Sequence, residues 1–319
     1  MKNIIQRGRS AIILYAILIP FFLLTFFGQR SGRIIGLGFF IVFSNWALYE
    51  VIKHNRLPIW ANLILLLTSN IIWIFPTQFY LTSAQNPNIF WDTDKVSLTT
   101  DNLLKTIYKD GFLGSNSRFA SIEFYVLGIV NIAFFFIFFK SQKNKKFFSS
   151  AMSITAFATF IIPIFLKVLF ILNAANIYLL FCVFIIPMVT DTAAYFGGKF
   201  LGHKLFKRKF APKISPKKTW EGAIIGYLCG ALFVFIVMYI GKLTNNFQLT
   251  FYFNYKQIIT AVILLPILST VGDLVFSAIK RTLEIKDFSN LIPGHGGLMD
   301  RFDSVSFVTI GATIILLIN

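Results

Sequence analysis

The sequence predicts an all-α, polytopic integral membrane protein with about nine transmembrane helices. Three observations predict it. Hydrophobic residues make up 56% of the 319-residue chain and charged residues only 13%, against roughly 45–50% and about 25% in soluble domains. Apolar runs recur along the whole sequence, near 11–27, 34–52, 57–75, 121–139, 150–172, 177–196, 221–241, 257–281 and 302–318, and roughly 17–25 such residues suffice to cross a bilayer as a helix. With the N-terminus placed in the cytoplasm, the intervening segments carry 21 Lys and Arg inside and 8 outside, the bias that sets membrane orientation.

The elements follow in order. The first run, Ala11–Phe27, is long enough to span, and no small-residue cleavage site follows it, so an anchor is expected there rather than a cleaved signal peptide. Residues 1–145 make an N-terminal transmembrane region, with the polar segment 76–120 as an outward-facing loop to which no chemistry is assigned. Glu50 and Glu123 stand near span ends and read as interfacial. Lys167, close to the outer end of its span, reads as a snorkelling side chain. Residues 146–319 form a second, C-terminal transmembrane region that holds both charged clusters of the chain. The 39 phenylalanines read as lipid-facing and interhelical packing. Cys182 and Cys229 lie in apolar runs with neither a disulfide framework nor metal-binding spacing. A net charge of +17 raises nucleic acid as a partner. The cations sit in short loops beside apolar runs, however, which points to a lipid bilayer and anionic headgroups instead.

The first charged cluster is residues 272–304, which hold five of the chain's thirteen carboxylates, four of its thirty Lys and Arg and one of its three His. Charges inside or at the ends of membrane helices are costly and are usually there for function. In a helix, Asp273, Ser277, Lys280 and Arg281 share one face, with Asp273 roughly 10 Å deeper than the two cations. A turn-rich Pro293-Gly294-His295-Gly296-Gly297 follows, whose backbone N–H groups can approach an anion. Asp300, Asp303 and Ser304 then open a new helix. Hard oxygen donors beside cations and N–H donors are what a divalent ion and a polyphosphate need. The second cluster, 191–221, begins with Asp191 and Tyr195 one turn apart. Asp191 lies about 12 Å of helix rise from Lys199, a depth similar to that of Asp273, so both carboxylates can face one interior cavity. Gly197-Gly198 is expected to break the helix. A basic run through Lys218 follows, and Ser215-Pro216-Lys217-Lys218-Thr219-Trp220-Glu221-Gly222 leads into the next span.

The order Ser277-x-Ile279-Lys280-Arg281-x4-Lys286-Asp287-x-Ser289-x2-Ile292-Pro293-x-His295-Gly296-Gly297-Leu298-x-Asp300-Arg301-Phe302-Asp303 resembles the signature of phosphatidate cytidylyltransferases (CDP-diacylglycerol synthases). The pattern Asp191-x2-Ala194-Tyr195-x2-Gly198, with the Ser215–Gly222 block, is similar to a second block of that family. Together the resemblance covers roughly 185–305, and composition alone supports the N-terminal half. It implies that the C-terminal region is catalytic and that CTP and phosphatidate react to CDP-diacylglycerol and pyrophosphate. The nucleophile is then a phosphate monoester, already largely ionised near neutral pH with a second pKa of about 6, and needs no strong base.

On this reading Asp273 and Asp300 are metal ligands, with Asp191 and Asp303 as further candidates for ligands or their partners. Lys217, Lys218, Lys280, Arg281 and Arg301 bind the triphosphate or the lipid phosphate. His295 orients by hydrogen bonding, and Asp287 joins Lys280, Arg281, His295, Arg301 and Asp303 as a catalytic candidate. Tyr195, Ser215, Thr219, Glu221, Ser277, Gly296 and Gly297 complete the substrate-binding candidates. Mg2+ suits oxygen ligands and phosphate substrates; a second, monovalent cation such as K+ is allowed by the resemblance, not by the sequence. The expected location is the plasma (inner) membrane with the active site on the cytoplasmic side. The sequence is silent on oligomeric state, and a homodimer stays open. Two rival functions also stay open: a CTP-dependent lipid kinase or a cytidylyltransferase for another lipid phosphate, and an anion transporter built on broken helices.

Overall fold

The computed structural model describes residues 2–74, 122–243, 254–290, 296–316 and 318. The outward loop expected at 76–120 lies outside the described residues, as does His295. The chain divides into two compact units. One comprises Met1–Ala175 with Thr282–Asp300, the other Asn176–Arg281 with Arg301–Asn319.

In the first unit, α1 (Lys2–Phe27) and α2 (Gln29–Ile52) form a helical hairpin around Gly28. A Cβ on Gly36 would fall on the Thr25 hydroxyl, so glycine there lets the helices approach closely. Phe21 stacks on Phe39 at 4.1 Å between ring centres. Pro58, with its fixed φ, leads into α3 (Ile59–Ser69), which tightens into a 3-10 turn at Asn70–Trp73. Asn45 and Asn70 exchange side-chain hydrogen bonds of 2.8 and 2.9 Å, and Asn55 donates to Asn62 at 2.9 Å. Such pairs satisfy amides that have no water to turn to. The helices α4 (Ile122–Phe139) and α5 (Lys145–Ala175) follow.

Lys167 does not snorkel. It is buried on α5, and its Nζ donates to the carbonyls of Ile72 at 2.8 Å and Ile74 at 3.3 Å, where the 3-10 turn leaves backbone acceptors without helical partners. Lys167→Met keeps the apolar stem and removes those bonds. It should therefore lower stability in detergent by roughly 1.5–3 kcal/mol, read as the midpoint of thermal unfolding; an unchanged midpoint would count against this role.

The second unit opens with α6 (Ile177–Leu201), capped by the Asn176 side chain, which accepts the Leu179 N–H at 3.0 Å. A short antiparallel hairpin of β1 (Lys209–Ala211) and β2 (Ser215–Thr219) follows, and its strands are the only two paired ones among the described residues. Then come α7 (Trp220–Leu243), α8 (Tyr255–Thr282) and α9 (Met299–Ile315). Among the described residues, each predicted run overlaps one of these helices.

Among the described residues five helices are long and apolar enough to cross a membrane: α2, α5, α6, α7 and α8. Shorter apolar stretches occur at Tyr15–Phe27, Ile59–Trp73 and Tyr125–Phe139. The protein is an all-α polytopic membrane protein.

The Gly197-Gly198 pair does not break the helix, which continues to Leu201. The physical reason is close packing. A Cβ on Gly197 would stand 2.8 Å from Ile225 of α7, one on Gly222 would stand 2.6 Å from the Ala194 carbonyl, and one on Gly226 would stand 2.7 Å from the Thr190 carbonyl. Gly222, Gly226 and Gly230 recur every fourth residue on one face of α7, the small-residue spacing that lets membrane helices meet backbone to backbone.

Candidate active site

A cavity of about 380 Å3 opens in the second unit where α6, β2, α7 and α8 converge. The α6 face supplies Asp191, Tyr195 and Lys199, β2 supplies Lys217, Lys218 and Thr219, and α8 supplies Thr270 and Asp273. The expectation that Asp191 and Asp273 share a cavity is met. Asp273 is held from two sides: Lys218 Nζ forms an ion pair with its Oδ2, and Ser277 Oγ donates to its Oδ1 at 3.1 Å. The second bond is the one-turn pairing that the spacing predicts.

The hairpin that carries the two lysines is tied down at several points. Arg281 Nε donates to the Ile214 carbonyl at 3.4 Å, beside the hairpin turn. Thr219 caps α7 by accepting the Gly222 N–H at 3.1 Å. Glu221 is buried and accepts the N–H groups of Leu205 at 3.0 Å and Phe206 at 2.8 Å, closing the turn after α6. Of the two, Thr219 also lines the cavity itself. Ser215 pairs with Ala211 in the hairpin. Lys280 stands 4.0 Å from Asp303, and the Asp303 carboxylate also feels the charges of Asp273 and Asp191. Asp303 Oδ1 accepts the Ser304 N–H at 2.7 Å. Arg301, also in this unit, is exposed.

The loop between α8 and α9 belongs to the first unit and carries the remaining candidates. Asp300 Oδ2 accepts the Phe288 N–H at 2.9 Å and the Gly297 N–H at 2.8 Å, joining the two limbs of the loop. Gly296 adopts φ +85, a left-handed conformation that glycine enters without penalty, and a Cβ there would press on the Asp300 carboxylate at 2.9 Å. Asp287 is exposed on the first limb.

Two participants escape sequence reasoning. Glu50, near the end of α2, is 2% exposed, and its carboxylate accepts Ser289 Oγ–H at 2.6 Å and the Met299 N–H at 3.0 Å. His54, one helical turn on, has Nε2 3.0 Å from the Phe288 carbonyl. A carbonyl only accepts, so Nε2 carries the proton. The sole signal in the sequence is an acidic residue inside an apolar run, because its partners lie 239 and 249 residues away.

The described residues contain no group of three or more His, Cys, Asp or Glu arranged to hold a metal. Two cavity carboxylates with hard oxygens are nevertheless a donor set that fits Mg2+, which is commonly held by one or two carboxylates together with substrate phosphates.

Residues 6–318 match the model of the cytidylyltransferase family. The chain is similar to three proteins named phosphatidate cytidylyltransferase. That of Rickettsia conorii is 39% identical over 152 residues, 47% of this chain and 62% of the relative. That of Haemophilus influenzae is 40% identical over 135 residues, 41% of this chain and 43% of the relative. That of Staphylococcus haemolyticus is 42% identical over 131 residues, 41% of this chain and 45% of the relative. The matched stretches thus span less than two thirds of each relative's own length. The match over nearly the whole sequence decides the family: this chain belongs to the cytidylyltransferases.

Proposed function

We propose that the protein joins CTP to phosphatidate, forming CDP-diacylglycerol and pyrophosphate. The observation that carries the reading is the cavity itself, in which Asp191 and Asp273 face Lys199, Lys217 and Lys218 within a unit of long apolar helices. Two anions must be brought together, and the leaving pyrophosphate must be neutralised. The lysines supply fixed positive charge for both tasks.

The lipid's phosphate oxygen attacks the α-phosphorus of CTP, and the bond to the β-phosphate bridging oxygen breaks. No proton has to be removed from an ionised phosphate, so the scarcity of histidine is no obstacle. Asp273 and Asp191 would hold Mg2+, which would supply Lewis-acid charge neutralisation of the phosphates. Asp300, the other ligand candidate, stands in the first unit with its Oδ2 engaged by two backbone N–H groups. Lys218 exchanges its pairing with Asp273 for a phosphate oxygen when the nucleotide arrives, while Ser277 keeps the carboxylate oriented. The excess of basic residues in the segments that carry the cavity lysines supports a cytoplasmic opening at the plasma membrane, where CTP is available from water. Phosphatidate then reaches the site from the bilayer without extraction.

The purified full-length chain, given CTP and phosphatidate in mixed micelles with Mg2+, should release pyrophosphate and form a lipid that retains CMP. Release of CDP with phosphate transfer would instead identify a lipid kinase, and no CTP turnover would sink the reading.

A further inference from the structure

We infer that Glu50 of α2 is a positioning residue for the loop between α8 and α9, holding both of its limbs and accepting the first N–H of α9. The inference rests on the proposed nucleotidyl transfer only for its effect on rate.

The residue before α9 is Leu298, whose side chain cannot accept a hydrogen bond, so α9 has no local side-chain cap at that position. Glu50 fills that need from another helix, with Oε2 3.0 Å from the Met299 N–H. An anion at this place also meets the positive end of the helix dipole. Its Oε1 takes the Ser289 hydroxyl from the loop's first limb. Phe288 and Ser289 are neighbours, and Gly297 and Met299 are two residues apart, so two carboxylates stitch the same pair of limbs. Asp300 bridges Phe288 and Gly297, and Glu50 bridges Ser289 and Met299. His54 also holds Phe288, through its carbonyl. A Cβ on Gly297 would stand 2.5 Å from Glu50 Oε2 and 2.8 Å from Ser289 Oγ. The second glycine of the Gly296-Gly297 pair is therefore required by Glu50. A buried carboxylate is tolerable only with such donors around it, and rigid support of this kind is what holds reactive groups in place.

The test uses full-length protein in detergent, normalised to the folded monodisperse fraction, with Glu50→Ala, Glu50→Gln and Ser289→Ala. Steady-state kinetics with CTP and phosphatidate are combined with hydrogen exchange. The peptides read cover 286–290 and 296–300, and are compared with peptides of α6 and α7. Glu50→Ala should lower kcat about 100-fold, the scale of a 1 Å misplacement, with KM for both substrates within about threefold. Glu50→Gln keeps an acceptor of the same shape and should recover about tenfold of that loss, and Ser289→Ala should lose about tenfold. Exchange should rise in the two loop peptides alone.

Turnover within about twofold of wild type in both alanine variants would overturn the inference. So would a loss accompanied by equal exchange in α6 and α7. If Glu50→Ala does not fold, Ser289→Ala decides on the same criteria. Should the wild type itself show no turnover, the nucleotidyl-transfer reading fails, and exchange alone decides the positioning role: a rise confined to the loop supports it, and no rise overturns it.

Discussion

Asp273→Asn should cost about a thousandfold in CTP turnover at saturating Mg2+, more than one lost hydrogen bond and on the scale of removing a group that organises transition-state charge. The exchange preserves shape and the Ser277 contact, since the amide oxygen still accepts. What disappears is the negative charge that pairs with Lys218 and offers an oxygen to a cation. Lys218 would be left without its partner in the cavity, and the site would carry excess positive charge where a metal ion has to bind. Membrane insertion and the monodisperse peak in detergent should not change, because one polar group replaces another of the same size. Glu284→Gln, the same loss of charge at an exposed loop position, should stay within about twofold, as surface substitutions generally do. Turnover of Asp273→Asn within tenfold of wild type would remove Asp273 from the chemistry.

Gly226→Leu should have the largest effect on the fold. A Cβ at this position would stand 2.7 Å from the Thr190 carbonyl and 2.8 Å from the Ala194 Cβ, with the Ala194 Cα at 3.3 Å. Two of these three neighbours are backbone atoms of α6, which cannot swing aside as a long side chain could. The helices must separate, and about 1–3 kcal/mol is typical for an overpacked core, occasionally more. With the longer side chain added against backbone, we expect loss of the folded peak in size-exclusion chromatography and of CTP turnover together. Gly226→Ala, which meets the same atoms with a single methyl, should fold with a lowered unfolding midpoint. A fully stable Gly226→Leu protein would show that the α6–α7 contact is not as close as described.

The helices were legible because their causes are local. Apolar runs act within a few residues, and the Asp273–Ser277 pairing follows from helical spacing alone. The sharing of one cavity by Asp191 and Asp273 was legible through depth, a property that helix rise converts into a number. The glycines at 197 and 198 misled because glycine lowers helix propensity in isolation, whereas here Ile225 and the α7 backbone occupy the space that a side chain would need. The hairpin at 209–219 was hidden by its shortness and its lysine and proline content, which resembles a loop. Thr219, expected from the motif to bind substrate, lines the cavity, and the bonds of Thr219 and Glu221 to the backbone at Gly222, Leu205 and Phe206 are contacts the motif does not reveal. The partners of Glu50 and His54 were not legible because they lie more than two hundred positions away.

The glycine ladder of α7 also bears on how the protein lives with changing lipid. Helices that meet through interlocked side chains can slide or splay as a bilayer thins or thickens, whereas helices in backbone contact have no slack to give up. The pair formed by α6 and α7 should therefore tilt as one plate. Asp191 and Tyr195 on one helix, and Thr219 at the start of the other, would keep their separations across membranes of different thickness. Acyl-chain length could then vary around the cavity without detuning the geometry inside it.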